Sequence, residues 1–326
     1  MTFTEFDLIA AIQQGLPQSN DEQLLLGIGD DAAIVQPTVG EQLVISTDTM
    51  NAGVHFFPDD NAADIGHKLV AVNLSDLAAM AATPRWCLLN LSLPADWSAS
   101  QRSNWLCALI DGLLPIMQQH AMTLIGGDTT SGTLSLTLTA IGSVPAGSAV
   151  TRAGAAAGDH ILLSGHVGDA AAALHGLKHG AVVSAALLHR LRRPTPRLEL
   201  GQALRGLASA MIDVSDGLLA DLQHILQASA VGASVCVEDV PMSPVLAAAG
   251  MDNAEMQRCA LSGGDDYELC CCVPDRHLAA ALQAAQHCSI KLSCIGRIEA
   301  EPGLRCIDAA GEPIKLPQGG WQHFHD

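Results

Sequence analysis

The chain has 326 residues, of which 49% are hydrophobic and only 3% aromatic, and its formal net charge is −18 at pH 7. This length favours two α/β domains over one ordinary core. The negative charge argues against binding to nucleic acid or to an anionic membrane surface, because both attract basic proteins.

The N-terminal stretch MTFTEFDLIAAIQQG carries acids where a secretory signal would carry Lys or Arg. No apolar run reaches the roughly 18 uncharged residues that a membrane span needs. We therefore expect a soluble, cytoplasmic protein. The ten cysteines are dispersed and form no CxxC pair, although Cys270, Cys271 and Cys272 are consecutive, and we expect them to be reduced and mostly buried.

Hydrophobic periodicity predicts mixed α/β structure in the first half. Apolar residues at helical spacing predict helices over 63–82 and 100–120, and the alternation in TLSLTLTAIGSV (133–144) predicts a half-buried strand. The Pro, Gly and Ala-rich passage VPAGSAVTRAGAAAGD (144–159) then interrupts the pattern. We place a domain boundary there, with an N-terminal domain over 1–148 and a C-terminal domain over 149–326.

The second half also predicts α/β structure. HILLSG indicates a strand, VGDAAAALHGL a helix after a glycine turn, and SAMIDVSDGLLADLQHILQAS a strand that leads into an amphipathic helix. The glycine turn in SGHVGDAAAAL (164–174) is either an ordinary strand-to-helix connection or a place where backbone N–H groups meet a phosphate. Two segments of the first half, NLSDLAAM and LIGGDTT, are similar to two segments of the second half in the same order, DVSDGLLAD and LSGGDDYEL. This internal echo indicates either related halves or the same chemistry used twice.

Carboxylates recur beside Gly, Ser or Thr in short stretches, and a single one of these is usually a helix cap or a turn residue. Their repetition instead favours Mg²⁺, which takes hard oxygen ligands together with substrate phosphates. Zinc-type His/Cys spacing, GxxxxGK[ST], GxGxxG and the kinase motifs HRD and DFG are all missing from the sequence. We therefore predict a Mg²⁺ site that bridges a nucleotide. The stretches are GIGDDAA (Asp30, Asp31), STDT (Asp48), LSDL (Asp76), GGDTT (Asp128), DVSDG (Asp213, Asp216) and GGDDYE (Asp265, Asp266).

Several segments occur in a recognisable order and spacing: GIGDDAA, ISTDT with GVHF, VNLSDLAAM, IGGDTT, TRAGAAAGD, RRPTPR, IDVSDGL, LSGGDDYEL and GGWQHF. In these segments the chain resembles the thiamine-monophosphate kinase family of the aminoimidazole-ribonucleotide synthetase-like superfamily. The resemblance covers essentially the whole chain. STDT, SDG and GGD are shared loosely across that superfamily, whereas GVHF together with GGWQHF points to this family.

The resemblance implies the two-domain α/β fold of that superfamily, with an N-terminal domain that binds ATP and Mg²⁺ and forms a homodimer. It implies ATP-dependent phosphorylation of thiamine monophosphate to thiamine diphosphate, with several Mg²⁺ ions in each site. Carried over by motif, the metal ligands are Asp31, Ser46, Thr47, Asp48, Asp76, Asp128, Asp213 and Asp216. The implied ATP contacts are Gly127, Asp128, Arg152 and Ser215, and the implied substrate contacts are His55, Asp265 and Trp321.

One position departs from the family pattern, which usually reads GGEDYEL. Asp265 is one methylene shorter than that Glu, and we expect it to reach the substrate through a water or a slight backbone shift. By the family motif Asp31 contacts the metal, and Asp30 is expected either to support a neighbouring N–H or to hydrogen-bond to a group that binds the metal. On the residues alone, His55 is also compatible with a packed core histidine, Arg152 with a solvated linker residue, and Trp321 with a tail that packs on the last strand.

No general base or covalent nucleophile is expected, because a phosphomonoester with a second pKa of about 6 is already largely a dianion at pH 7. The protein's contribution is then positioning and electrostatic stabilisation, with metal ions between the polyanions. Without metal the clustered carboxylates repel one another, so we expect their loops to be loose until metal binds.

Two alternative functions stay open at this point. One is another ATP-dependent enzyme of the same superfamily, acting on formylglycinamidine ribonucleotide in an ADP-forming cyclisation or on selenide. The selenide enzymes usually need a reactive cysteine near the N-terminus, whereas the first cysteine here is Cys87. The other alternative is a non-catalytic metal-binding assembly protein, which would bind metal without nucleotide turnover.

Overall fold

The structure, a computed structural model, describes residues 21–314. Within that range the chain divides into two compact units, which are described separately. The N-terminal unit comprises residues 21–77 and 82–147, and the C-terminal unit comprises residues 78–81 and 148–314.

The N-terminal unit is built on a four-stranded sheet. Its strands are β3 (Glu41–Asn51), β4 (Thr83–Leu93), β5 (Thr123–Ser131) and β6 (Ser135–Pro145), and two short strands, β1 (Leu24–Leu26) and β2 (Ile34–Val35), pair separately. The sheet order is β3-β6-β4-β5, in which β6 is antiparallel to both its neighbours and β4 is parallel to β5. The edges of this sheet are therefore β3 and β5.

Two helices of this unit, α1 (Ala62–Ala79) and α2 (Ala99–Gln119), carry much of its core. A capping box between Ser98 and Gln101 fixes the start of α2. Strand alternation buries Leu136 and Leu138 of β6 and leaves Thr137 and Thr139 on the opposite face. The predicted helices over 63–82 and 100–120 and the predicted strand over 133–144 are thereby confirmed to within a few residues.

The C-terminal unit is built on a six-stranded sheet of order β12-β9-β11-β7-β10-β8. All neighbouring strands in it are antiparallel except β12 and β9, which are parallel. The strands are β7 (His160–Ser164), β8 (Ala210–Val214), β9 (Gly232–Cys236), β10 (Glu268–Val273), β11 (Leu292–Glu299) and β12 (Gly303–Ile307). Both sheets are mixed, so the predicted α/β class with mixed sheets is confirmed.

The helices of this unit include a long amphipathic one, α6 (Leu218–Ser229), whose buried residues Leu222 and Ile225 join a core with Ile161 of β7 and Ile212 of β8. Its N-terminus follows β8 after a short loop, as the sequence predicted. The helices are α3 (Asp169–Lys178), α4 (Ala185–Arg192), α5 (Leu198–Ala203), α6 (Leu218–Ser229), α7 (Pro244–Ala247), α8 (Asn253–Ser262) and α9 (Asp275–His287), with a 3₁₀ turn at Val237–Asp239.

The ten cysteines are free thiols, but only half of them are buried. The consecutive cysteines of β10 are fully buried, and burial raises the pKa of Cys271 to about 12. Cys107 and Cys294 are exposed, so the expectation that the cysteines are mostly buried was too broad. In the range 21–314, no helix has both the length and the apolar character needed to cross a membrane.

Candidate active site

Three of the expected metal ligands meet where β3 faces α1. The Ser46 hydroxyl donates a hydrogen bond to the Asp76 carboxylate of α1. One turn earlier on the same helix face, the Asn73 side chain accepts the N–H of Asp48 at 3.2 Å. Asn73 is buried and held by its own bond to the carbonyl of Leu69 at 2.9 Å. Ser46 and Asp76 are in direct contact, and strand alternation puts the Asp48 side chain on the same face of β3 as Ser46, so the three offer one group of hard oxygen ligands.

The Thr47 hydroxyl lies on the opposite face of the sheet, because side chains alternate along a strand. It is 3.0 Å from the Thr139 hydroxyl and 3.2 Å from the carbonyl of Leu138. The structure therefore does not bring the Thr47 hydroxyl together with Ser46 and Asp48.

Gly127 and Asp128 lie on β5, at the other edge of the same sheet. Asp48 pairs with Leu138 on β6. Leu138 pairs in turn with Leu89, and Leu89 with Gly127. Three strand spacings separate the two edges, or about 14 Å, so the sheet of one chain does not bring Asp48 and Asp128 to one ion. Gly127 has a φ of +151°, and a Cβ there would lie 1.9 Å from the Leu89 carbonyl oxygen, so the strand requires glycine.

Asp30 and Asp31 are both exposed in the segment before β2. The Asp30 carboxylate accepts the N–H of Asp31 at 2.8 Å, which confirms the prediction that Asp30 supports a neighbouring N–H. The Asp31 carboxylate is left to solvent on the same segment.

His55 follows β3 in a turn and is half-buried, so the structure does not support the core alternative. The N–H of Asn51 donates to its Nδ1 at 3.0 Å. Because Nδ1 accepts, the neutral ring carries its hydrogen on Nε2. The hydrogen bond from Asn51 therefore fixes the orientation and the tautomer of the His55 imidazole.

In the C-terminal unit, Asp213 lies in β8, and the loop between β8 and α6 carries Ser215 and Asp216. Asp213 is buried at the end of β8, and the other two are half-buried. A residue without a sequence-based assignment organises this loop: Asp221 Oδ2 accepts the N–H groups of Ser215, Asp216 and Gly217 at 3.0, 3.1 and 3.1 Å. Burial, reinforced by the charge of Asp216, raises the pKa of Asp221 to about 7.

The GGDDYE segment is fastened to the same loop. The N–H of Asp265 donates to the Ser215 carbonyl and that of Tyr267 to the Val214 carbonyl, both at 2.8 Å. Asp265 and Tyr267 have φ angles of +68° and +53°, which non-glycine residues adopt only where the surroundings hold them. The Tyr267 hydroxyl donates to Asp265 Oδ1 at 2.9 Å, so it orients the carboxylate that the sequence assigned to substrate.

Asp266, between these two residues, is buried and has a structural contact. Its carboxylate accepts the N–H of Gly168 at 2.9 and 3.0 Å, and burial raises the pKa of Asp266 well above its usual range. The N–H of Val167 donates to the Pro241 carbonyl, and that of Gly165 to the Lys291 carbonyl. The glycine turn before α3 is thus a structural connection, and these three N–H groups are occupied by the protein.

Glu268, two residues after Asp266, is fully buried and paired with two arginines. Arg197, the last residue of the RRPTPR segment, donates to it through Nε at 2.7 Å and through Nη2 at 2.5 Å. Arg190 Nη2 donates at 3.0 Å and the Ser164 hydroxyl at 2.6 Å. This network anchors the end of the GGDDYE segment to β7, α4 and the start of α5. The sequence had offered RRPTPR only as part of the family resemblance.

Arg152 is exposed, and its backbone carbonyl accepts the Ser229 hydroxyl at 3.1 Å. The main chain is therefore fixed while the guanidinium faces solvent. Trp321, expected to contact the substrate, lies outside the described residues.

The donor set of the N-terminal unit fits a hard cation. Ser46, Asp48 and Asp76 offer only oxygen atoms, which suit Mg²⁺ rather than zinc or copper. Across residues 21–314, no three or more His, Cys, Asp or Glu side chains are grouped to hold one ion. Mg²⁺ does not require such a cage, because it commonly binds one or two carboxylates and completes its shell with water and phosphate oxygens.

Family models match both halves of the chain. The N-terminal domain of AIR synthase related protein matches residues 29–144, and its C-terminal domain matches residues 156–309. The two mixed α/β units and their acidic loops thus define an AIR synthase related protein.

Individual relatives narrow this class. Thiamine-monophosphate kinase of Escherichia coli (strain K12) is 44% identical over 329 residues, covering 99% of each chain. The crystal structure of thiamine-monophosphate kinase from Stenotrophomonas maltophilia K279a superposes with a TM-score of 0.85 at 45% identity, covering 96% of this chain and 99% of that one. AaThiL complexed with AMPPCP and TMP has a TM-score of 0.75 at 29% identity, with 99% and 97% covered. The chain belongs to the thiamine-monophosphate kinase family, which confirms the family resemblance and the enzyme class it implied.

Proposed function

We propose that the protein transfers the γ-phosphoryl group of ATP to thiamine monophosphate, giving thiamine diphosphate and ADP by in-line displacement. Family membership supports this proposal, as does the relative AaThiL, which is complexed with AMPPCP, an ATP analogue, and with TMP. Within the structure, the observation that carries it is the group of Ser46, Asp48 and Asp76 oxygens, held by α1 against β3.

We assign Mg²⁺ binding to this group, to Asp31, Thr47 and Asp128 in the same unit, and to Asp213 and Asp216 in the C-terminal unit. When bound, Mg²⁺ would neutralise phosphate charge and stabilise the oxygens that attack and leave. The Thr47 hydroxyl faces away from Ser46 and Asp48, so the assignment of Thr47 rests on the family motif alone.

The ATP contacts in the proposal are Gly127, Asp128, Arg152 and Ser215. Asp221 holds the Ser215 and Asp216 N–H groups, so the loop is shaped before any ligand arrives. Arg152 supplies an exposed guanidinium on a fixed main chain, which suits a phosphate. Preorganised contacts of this kind lower the barrier because they do not have to be rearranged during the reaction.

The substrate contacts in the proposal are His55, Asp265 and Trp321. His55 offers its Nε2–H, and the Tyr267 hydroxyl orients Asp265. This hydrogen bond also offers a reason why an Asp can stand where the family usually has Glu, because the shorter carboxylate is held in place. The substrate phosphate is itself the nucleophile and is mostly dianionic at pH 7, so no side chain has to act as general base.

A homodimer is part of the proposal. The edges of the N-terminal sheet, β3 and β5, carry Asp48 and Asp128, about 14 Å apart in one chain. On the outer face of β3, Leu43 and Ile45 are 37% and 62% exposed. In the proposed dimer, a second copy covers Leu43 and Ile45, and edge strand β3 of one subunit lies beside edge strand β5 of the other. This arrangement would bring Asp48 of one subunit toward Asp128 of the other.

The dimer is tested by Ile45→Asp, which places a charge on the exposed patch. Sedimentation velocity should show a dimer for the unaltered chain and a shift toward monomer for this variant, with Val182→Asp, fully exposed in the C-terminal unit, as control. A monomeric unaltered chain, or equal behaviour of both variants, would remove the dimer from the proposal.

We also assign the protein to the cytoplasm, where ATP is available and where ten free thiols remain reduced. The N-terminal domain over 1–148 would then hold the metal group and the dimer contacts, and the C-terminal domain over 149–326 would complete the nucleotide and substrate contacts.

The decisive experiment incubates the purified chain with Mg²⁺, ATP and thiamine monophosphate and follows thiamine diphosphate by chromatography. Asp48→Asn should lower turnover by orders of magnitude, whereas Asp96→Asn, an exposed residue of the same unit, should not. If folded, Mg²⁺-supplied protein forms no thiamine diphosphate, the proposed activity is wrong, and Mg²⁺ binding without nucleotide turnover would favour the assembly-protein alternative.

A further inference from the structure

Three side chains of the C-terminal unit form a Cys–His–Asp series that the proposed kinase reaction does not use. Cys294 Sγ on β11 lies 3.6 Å from Nδ1 of His160, the first residue of β7. His160 Nε2 lies 3.0 Å from Oδ1 of Asp275, the first residue of α9. We propose that Cys294 is a reactive thiol that undergoes exchange with small cationic disulfides, with His160 as proton acceptor and Asp275 as the group that orients it.

The sheet builds this arrangement through a local irregularity. Cys294 pairs with Leu162, and Leu162 lies two residues from His160, so both side chains point to one face of the sheet. The register then shifts between Cys294 and Gly296. Such a bulge redirects a side chain, and it leaves Cys294 exposed beside a buried histidine.

The hydrogen bonds decide which ring nitrogen carries the proton. An ionised carboxylate only accepts, so the bond to Asp275 places the hydrogen of a neutral His160 on Nε2. Nδ1 then offers a lone pair to the thiol. The hydrogen bond from His160 lowers the pKa of Asp275, so that carboxylate stays ionised. The Gly296 carbonyl, 3.7 Å from Sγ, is a second acceptor for the thiol hydrogen, but it cannot carry the proton away.

Access and charge indicate the class of reactant. Cys294 lines a cavity of about 600 Å³ together with Glu238, Asp239 and Lys291. Two carboxylates against one ammonium group favour a cationic reactant over an anionic one. The cavity is large enough for a small disulfide.

The reaction balances without an external oxidant beyond the disulfide. His160 Nδ1 takes the thiol proton, and Cys294 Sγ attacks one sulfur of the disulfide. The S–S bond of the reactant breaks, one half remains on Cys294 as a mixed disulfide, and the other leaves as a thiolate that takes the proton from His160. This is the pairing of nucleophile, base and orienting group that activates side-chain nucleophiles.

The test uses the full chain and cystamine, a small cationic disulfide, with peptide mass spectrometry to measure the modification rate at each cysteine. Cys107, exposed on α2 of the other unit, is the internal control. We expect Cys294 to react on the order of tenfold faster than Cys107, and His160→Gln to remove most of that difference. An anionic analogue, dithiodipropionate, should react with Cys294 more slowly than cystamine does.

A second variant is needed because His160 is buried, so that His160→Gln could fail to fold. The Asp275 side chain is 83% exposed, and a substitution there should leave the fold intact. Asp275→Asn should therefore leave the circular dichroism spectrum unchanged while slowing modification of Cys294 and not of Cys107. The proposal is overturned if Cys294 reacts no faster than Cys107, if the folded Asp275→Asn variant reacts at the unaltered rate, or if the anionic disulfide reacts as fast as cystamine. The outcome does not depend on kinase activity.

Discussion

Glu268→Gln isolates the network that anchors the GGDDYE segment. The Glu268 side chain is 1% exposed and accepts hydrogen bonds from Arg197, Arg190 and Ser164. Glutamine keeps the shape but removes the charge and turns an N–H₂ group toward arginine donors. Two largely buried guanidinium groups, 18% and 20% exposed, then lose the carboxylate they share.

The expected loss in free energy of unfolding follows from the burial of this ion pair. Removing one partner of a buried ion pair typically costs about 3–5 kcal/mol, because the remaining charge stays desolvated. Glutamine retains one acceptor oxygen, and Asp169 lies 3.9 Å from Arg190, so we expect the lower end, about 3 kcal/mol. Glu299→Gln is the matched control: its pair with Arg305 at 3.4 Å is about one-third exposed on both sides, where such pairs contribute about 0–1 kcal/mol.

Urea unfolding followed by circular dichroism gives the free energy of unfolding of both variants at pH 7. Hydrogen exchange of peptides from β7 and β10 shows whether the loss lies in the C-terminal unit. A free energy of unfolding for Glu268→Gln within about 1 kcal/mol of that for Glu299→Gln, or unchanged hydrogen exchange in these two strands, would contradict the anchoring role of Glu268.

Three further changes probe the site. Tyr267→Phe removes the bond to Asp265, so KM for thiamine monophosphate should rise on the order of tenfold with the fold intact; an unchanged KM would show that this bond does not orient a substrate contact. Asp76→Ala should move the Mg²⁺ dependence of turnover to higher concentration, and an unshifted Mg²⁺ titration would exclude Asp76 as a ligand. The pKa of Asp221 is raised from 3.8 to about 7 in the folded protein. The contribution of its protonated carboxyl to the free energy of unfolding is therefore fully present below pH 4 and is lost as pH rises through 7. The Asp221→Asn variant lacks this titrating group. In metal-free buffer, the free energy of unfolding of the variant minus that of the unaltered chain should therefore rise between pH 5 and pH 8. A difference that stays constant over this range would contradict the raised pKa.

Local patterns predicted the elements well where one face is buried. The alternation over 133–144 became β6, because each second residue packs into the core while the threonines face outward. The burial of the consecutive cysteines of β10 also follows from the apolar run over residues 269–273.

The roles of individual carboxylates were harder to predict, because neighbouring acids look alike in sequence. Asp265 and Asp266 are adjacent, yet one is half-buried against Tyr267 and the other is buried on the Gly168 N–H. Asp216 lies in the loop before α6 and Asp221 in the first turn of that helix, yet only Asp221 is seen to accept three backbone N–H groups of the loop. Only the tertiary placement of the partners separates a structural carboxylate from a candidate ligand.

The internal echo illustrates the same limit. Asp76 of LSDL lies within α1, whereas Asp216 of VSDG lies in the loop before α6. Asp128 of GGDTT lies within β5, whereas Asp265 of GGDDYE precedes β10. The echoed letters occupy different elements, so the echo gives no support for structurally equivalent halves.

The backbone contacts also narrow the expectation that acidic loops are loose without metal. In the C-terminal unit, Asp221 holds the 215–217 loop and the Ser215 carbonyl holds Asp265, and neither contact involves a metal. Because the pKa of Asp221 is raised to about 7, this carboxyl is partly protonated near neutral pH. The loop is therefore held without a second full negative charge beside Asp216. The Asp31 carboxylate in the N-terminal unit, by contrast, is exposed, and its segment is supported by the hydrogen bond from the Asp31 N–H to the Asp30 carboxylate. Metal-induced stiffening should therefore be concentrated around Asp31, where binding would supply the constraint that Asp221 already supplies in the other unit.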